Sequence, residues 1–116
     1  LPGNLPMLNL DRFQIKQAVI NLLDNAISAM GGAGAITLAA DHDPARKIVR
    51  LEVADTGPGI SPRDKTRLFE PDFSTKKTGM GLGLSIVSSI VADHKGAIRV
   101  EDNHPAGTVF IIELPV

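Results

Sequence analysis

Arg12-Phe13-Gln14-Ile15-Lys16-Gln17-Ala18-Val19-Ile20-Asn21-Leu22-Leu23-Asp24-Asn25-Ala26-Ile27-Ser28-Ala29-Met30 carries the clearest periodicity in the chain. Ile15, Val19, Leu22, Leu23, Ala26 and Met30 recur at steps of three and four, the spacing of one helix face. At about 100° per residue, Gln14, Asn21, Asn25 and Ser28 gather on a second, polar stripe. Asp11 is placed to cap the start and Gly31-Gly32 to end the helix, which predicts one amphipathic helix over residues 12–30.

Beyond it the period changes to two. Ile36, Leu38 and Ala40 alternate with Thr37, Ala39 and Asp41. After a turn carrying Asp43-Pro44, Val49, Leu51 and Val53 alternate with Arg50, Glu52 and Ala54. A loop over residues 55–60 leads to a short helix near 62–69, with Ser61 before Pro62 as its start signal. Residues 71–80 read as loop. A second long helix is expected over 82–94, with Leu84, Ile86, Val87, Ile90 and Val91 apolar and His94, Lys95 and Gly96 as its stop. Strands near 97–102 and 107–114, joined through Pro105-Ala106-Gly107, close the chain, and residues 6–9 are a candidate edge strand. This order predicts an α+β, two-layer sandwich: a mixed, mostly antiparallel sheet covered on one face by about three helices. The strict alternation of a doubly wound fold is missing.

Composition narrows the function. The chain has 116 residues, 43% hydrophobic and 22% charged, with a net charge of −1. That suits one domain over 1–116 with a core of its own. It is too short for a TIM barrel. Twelve Lys and Arg against thirteen Asp and Glu, with no Trp or Tyr and four Phe, argue against a nucleic-acid binder. No apolar run approaches the ~18–20 residues of a membrane span. The absence of Cys removes disulfide and thiolate chemistry and fits a cytoplasmic setting. The opening Leu1-Pro2-Gly3 reads as part of something longer.

Four clusters carry candidate chemistry. Asn21-Leu22-Leu23-Asp24-Asn25-Ala26 sets two amides at i and i+4 on one side of the helix. Amide oxygens can ligate Mg²⁺, which keeps several waters and phosphate oxygens, or both can simply be solvated or backbone-bonded. Asp55-Thr56-Gly57-Pro58-Gly59-Ile60 places a carboxylate where a strand ends. There it can accept from an exocyclic amine such as adenine N6, with glycines allowing close backbone approach, or be an exposed Asp in a plain Pro-Gly turn. Leu68-Phe69-Glu70-Pro71-Asp72-Phe73-Ser74-Thr75-Lys76-Lys77 holds half of the aromatics beside a basic pair. Gly79-Met80-Gly81-Leu82-Gly83-Leu84-Ser85 is a glycine-rich loop entering a helix, a place that favours phosphate. It is neither a Walker A loop nor the dinucleotide fingerprint. His42, His94 and His104 are too scattered for zinc, and no Gly-x-Ser-x-Gly elbow is present.

In order and register, the four clusters resemble the N, G1, F and G2 boxes of the GHKL ATP-binding superfamily, which holds sensor histidine kinases, gyrase, Hsp90 and MutL. The closing Gly107-Thr108-Val109-Phe110 and Leu114-Pro115 are similar to the last strand of bacterial histidine kinases. Phe73-Ser74-Thr75-Lys76-Lys77 running straight into the glycines looks most like the nitrogen-regulation-type sensors with a short lid. The resemblance implies a Bergerat-type fold with ATP and Mg²⁺ as cofactors, bound under a lid at about 70–80. It implies that Asn25 binds Mg²⁺, with Asn21 beside it near the phosphates, and that Asp55 takes the adenine amino group. Gly57, Gly59 and Ile60 would shape the pocket, with Thr108 supporting Asp55 through water. Gly79, Gly81, Leu82 and Gly83 would form hinge and phosphate cradle, Lys76 would reach the phosphates, and Phe69 and Phe73 would pack the lid base.

Asn21 discriminates within that superfamily. Its hydrolysing members place a Glu four residues before the Mg²⁺ Asn, as general base on water. An amide cannot take that proton, so phosphoryl transfer to a side chain is favoured over hydrolysis. The resemblance implies an acceptor histidine on a helical hairpin and a response regulator downstream, with no nucleic acid and no membrane contact by this domain. None of the three His matches the acceptor, so the chain is expected to bind Mg-ATP without labelling itself. Asp72 departs from the pattern, where related F boxes carry an apolar residue. A GHKL ATPase, a serine kinase, or a catalytically weakened nucleotide-binding or protein-interaction module remain as alternatives.

Overall fold

The computed structural model describes residues 12–31, 33–65, 67 and 81–115, and of residues 12 and 81–83 the backbone only. Helix α1 spans Arg12–Met30, followed by strands β1 (Ile36–Asp43) and β2 (Ile48–Asp55). Then come α2 (Pro62–Lys65), α3 (Gly81–Asp93), β3 (Ala97–Asp102) and β4 (Thr108–Pro115). The candidate strand at 6–9, the Asp11 cap and the whole loop at 71–80 lie outside the described residues, as does Gly32.

The four strands run in the order β1-β2-β4-β3 with every neighbouring pair antiparallel. The mixed sheet expected from sequence is, among the described residues, wholly antiparallel. Two hairpins supply it, and the helical excursion between them lets β4 return beside β2 rather than beside β1. β2 shows why its sequence alternates: Val49, Leu51, Val53 and Asp55 are buried, and the residues between are half-buried. Across the ladder they meet Leu114, Ile112 and Phe110, which are also buried. Ala18 and Leu22 of α1 and Leu84, Val87, Ile90 and Val91 of α3 cover that face. Each fully buried aliphatic side chain contributes about 1.5–3 kcal/mol, so this one helix–sheet layer holds the domain together.

The ends of the elements follow local chemistry. The Ser61 hydroxyl accepts from the Asp64 N–H at 3.2 Å, capping α2. Of the helix expected near 62–69, residues Pro62–Lys65 are described as helical, and 66, 68 and 69 lie outside the described residues. The Lys65 ammonium fastens α2 to Asp102 at the end of β3. α3 ends in paired bonds, Lys95 N–H to the Ala92 carbonyl and Gly96 N–H to the Val91 carbonyl, both 2.9 Å. This is a Schellman stop, but Lys95 rather than Gly96 takes the left-handed conformation, with φ 59°. Gly96 answers a different need: a Cβ there would stand 2.5 Å from the Glu113 carbonyl oxygen of β4. The β1–β2 turn is held by Asp43, whose Oδ1 accepts from the Ala45 and Arg46 N–H groups.

Three side chains depart from the periodic reading. Ala18, too small to mark a stripe, is among the most buried residues of α1. Ile86 of α3 and Leu38 of β1 are exposed. Leu38 shares a phase with Ile36 and Ala40, but β1 has a neighbour on one side only among the described strands.

Candidate functional site

Asp55 is the last residue of β2 and keeps the inward phase of Val49, Leu51 and Val53, so parity alone sends its carboxylate to the helix side of the sheet. It is 2% exposed. Its Oδ1 accepts from the N–H of Gly57 at 2.9 Å and from the N–H of Thr108 at 3.3 Å. Both bonds fall on the same oxygen. Oδ2 has no hydrogen-bond partner among the described residues. A buried carboxylate is costly unless its oxygens are served, and among the described residues only Oδ1 is.

The backbone around Asp55 is fixed as closely as its side chain. Its carbonyl accepts from the Asn103 side-chain amide at 2.7 Å, reaching across from the β3–β4 connection. Asn103 N–H in turn bonds the Gly107 carbonyl at 3.0 Å, closing that connection. Gly107, at φ 111°, lies so near that a Cβ would run into the Asp55 carbonyl; only glycine satisfies both the dihedral and the approach. On the other side Gly57 touches the end of α1. A Cβ there would meet Met30 Cγ at 3.2 Å, the Ala29 carbonyl carbon at 3.6 Å and Asp55 Oδ1 at 3.1 Å. Thr56 adds backbone and hydroxyl bonds to Ala35, with its hydroxyl 3.8 Å from Met30 Sδ.

One turn before Ala29 lies Asn25, 8% exposed. It shares the buried face of α1 with Ala18, Leu22 and Ala26 rather than a solvated polar stripe, and its amide makes no hydrogen bond among the described residues. Asn21, expected beside it, is half-buried, and its Oδ1 accepts from the Gln17 amide at 2.8 Å. Gln14 and Ser28 are exposed, so the four polar residues do not form one surface. The polar end of the α1 face and the polar end of the β2 face thus meet where the apolar core stops.

Thr108 is buried, and its N–H reaches Asp55 directly, at Oδ1. Gly59, at φ 81°, and Ile60 follow in the same loop, with Ile60 packed against the core. Gly81, Leu82 and Gly83 begin α3, whose first turn leaves its N–H groups without helical acceptors; their side chains are not described. Phe69, Phe73, Lys76, Gly79 and Asp72 lie outside the described residues. Asn103 is the contributor that sequence reading missed: an Asn after a strand is an ordinary turn signal.

No group of three or more His, Cys, Asp or Glu that could hold a metal occurs among the described residues. A depression of about 270 Å³ on the β1–β2 ladder, lined by Ala39, Ala40, Asp41, Arg50 and Glu52, shares no residue with the Asp55 cluster. Its two carboxylates would repel phosphate. No described helix is long and apolar enough to cross a membrane.

Residues 10–116 match the family described as histidine kinase-, DNA gyrase B- and HSP90-like ATPase. The chain is 39% identical over 112 residues to the sensor histidine kinase ZraS of Salmonella typhi, covering 97% of this chain and 24% of that protein. It is 40% identical over 118 residues to the C4-dicarboxylate transport sensor protein DctS of Rhodobacter capsulatus, covering 100% of this chain and 18% of that one. Among solved structures it resembles the mycobacterial sensor histidine kinase MprB, with TM-score 0.81 and 34% identity over 93% of this chain and 76% of that chain. It also resembles full-length ShkA in complex with AMPPNP, with TM-score 0.83 and 36% identity over 96% and 23%. The chain spans about a quarter or less of the length of these curated relatives.

Proposed function

Since this chain belongs to the histidine kinase-, DNA gyrase B- and HSP90-like ATPase family, we propose that it is the catalytic unit of a longer, cytoplasmic-facing sensor kinase. It binds Mg-ATP at the junction of α1 and β2 and passes the γ-phosphoryl group to a histidine on a separate helical hairpin, which then supplies a response regulator. The observation that carries this reading is Asp55. One carboxylate oxygen is tied by two main-chain N–H groups and the other has no partner among the described residues, which suits an acceptor for the adenine amine.

The amide of Asn25, buried and without a hydrogen bond among the described residues, suits a single protein ligand to Mg²⁺, with phosphate oxygens and water completing the shell. Bound there, the ion would neutralise charge on the transferring phosphoryl group. The α3 N-terminus at Gly81, Leu82 and Gly83 offers N–H groups to the phosphates. Lys76 is assigned to the same phosphates, Gly79 to the hinge, Phe69 and Phe73 to the lid base, and Gly57, Gly59, Ile60 and Thr108 to the pocket wall. Asn21 cannot accept a proton from water, which favours transfer over hydrolysis.

The test is phosphoryl transfer in trans. The chain is mixed with a separately made hairpin segment bearing the acceptor histidine and with γ-labelled Mg-ATP. Acid-labile label should appear on the hairpin and none on this chain. Rapid phosphate release without hairpin labelling would favour the ATPase reading, and no ATP binding at all would leave only a protein-interaction module.

A further inference from the structure

Three large apolar side chains of α1 face solvent: Phe13 is 87% exposed, Ile20 40% and Ile27 51%. They stand seven residues apart, so on a helix they form one seam that drifts by only about 20° per step over about 21 Å. A seven-residue apolar repeat fits a second helix laid along it rather than a strand or a flat surface. Lys16 and Asp24, both exposed, sit four residues before and four after Ile20 on the same side. Neither makes an ion pair among the described residues.

The pattern reads the same from either end except that its charge changes sign. We infer that α1 docks antiparallel on α1 of a second copy of this chain, about a two-fold axis beside Ile20. In that register Ile20 meets Ile20 of the other copy, Phe13 lies level with Ile27, and each Lys16 lies level with an Asp24. A two-fold contact needs this self-complementarity. A parallel pairing would set Lys16 beside Lys16 and Asp24 beside Asp24, which repel. Three apolar side chains and two exposed ion pairs fall short of the roughly 800 Å² per partner of a standard stable interface. The dimer is therefore weak, with Kd on the order of 10⁻⁴ to 10⁻³ M, and matters where two copies are held close. Nothing in this contact depends on nucleotide.

Sedimentation equilibrium on this chain from about 10 μM to about 1 mM, at low salt, tests it. The wild type should show a monomer–dimer equilibrium. Lys16→Glu and Asp24→Lys should each weaken it about tenfold through two lost ion pairs and the repulsion that replaces them. The double variant should recover to within about twofold of wild type. Ile20→Glu should abolish association, with melting curves showing that it folds. A wild type that stays monomeric throughout, or a double variant as weak as the singles, overturns the proposal. So does a monomeric chain that captures the acceptor hairpin through Ile20.

Discussion

Replacing Asp55 by Asn separates the two oxygens of one carboxylate. Oδ1 accepts the N–H groups of Gly57 and Thr108, and an Asn side-chain oxygen can take both. The fold should therefore survive, with a melting temperature unchanged or slightly higher because a charge leaves a site that is 2% exposed. At the position of Oδ2 the variant carries an NH₂ donor. Facing the adenine amine, it loses a charge-assisted hydrogen bond, worth about 1.5–3 kcal/mol, and sets donor against donor. At 1.4 kcal/mol per factor of ten, ATP affinity should fall roughly 10- to 150-fold. Titration calorimetry with Mg-ATP and with a purine triphosphate lacking the 6-amino group completes a double-mutant cycle. The wild type should bind the analogue about as weakly as the variant binds ATP, and the variant should discriminate little between them. Equal ATP affinity in wild type and variant, both folded, would refute the assignment of Oδ2 to the base.

Gly107→Ala forces a Cβ into the Asp55 carbonyl at φ 111°; it should cost about 3 kcal/mol or more, seen as a fall of roughly 10 °C in thermal unfolding, with ATP binding lost alongside. Asn103→Ala removes one hydrogen bond to that carbonyl, a loss of about 1 kcal/mol, so melting should drop by about 4 °C; an unchanged melting curve would show the bond to be incidental. Asn25→Ala should leave the melting temperature of the nucleotide-free protein nearly unchanged, since its amide has no internal partner among the described residues, while calorimetry shows the Mg²⁺ dependence of ATP binding to have gone. Lowering the metal with a chelator should give the wild type the variant's ATP affinity.

The fold was readable because two simple periods dominate it. Val49, Leu51 and Val53 announce β2, and the same parity carries on to Asp55. A strand-end acid before Pro-Gly reads equally well as an exposed turn residue, however, and its burial became clear only from the structure. Asn25 resisted the same treatment. Its place among polar neighbours suggested a solvated stripe, yet it is buried, because the packing of α1 and not the local pattern decides which side faces in. Ala18 was invisible for the opposite reason: alanine contributes little to any periodic signal however deeply it sits. The joint between the two hairpins was hidden altogether. Asn103 reaches Asp55 across a sequence separation of 48 residues, and such contacts leave no trace in local spacing. Gly107 could be read as a turn glycine, but its intolerance of a side chain comes from the Asp55 carbonyl against which it packs.

These placements couple the site to the core. α1 and β2 each present an apolar face that ends in one polar residue, Asn25 on the helix and Asp55 on the strand. The core stops where hydrogen-bond demand begins, and neither polar group is fully served from within the described protein. Gly57 and Gly107 allow the main chain to close around Asp55 from two sides, so the acid is held by backbone rather than by mobile side chains. Such an acceptor is preorganised: a base binding there need not pay to order it. Oδ1 takes both main-chain bonds, from Gly57 and Thr108, and Oδ2 is the oxygen with no hydrogen-bond partner among the described residues. If the proposed base recognition holds, it rests on this backbone frame as much as on the carboxylate. A substitution that displaces Gly57 or Gly107 should therefore weaken ATP binding with Asp55 itself unchanged.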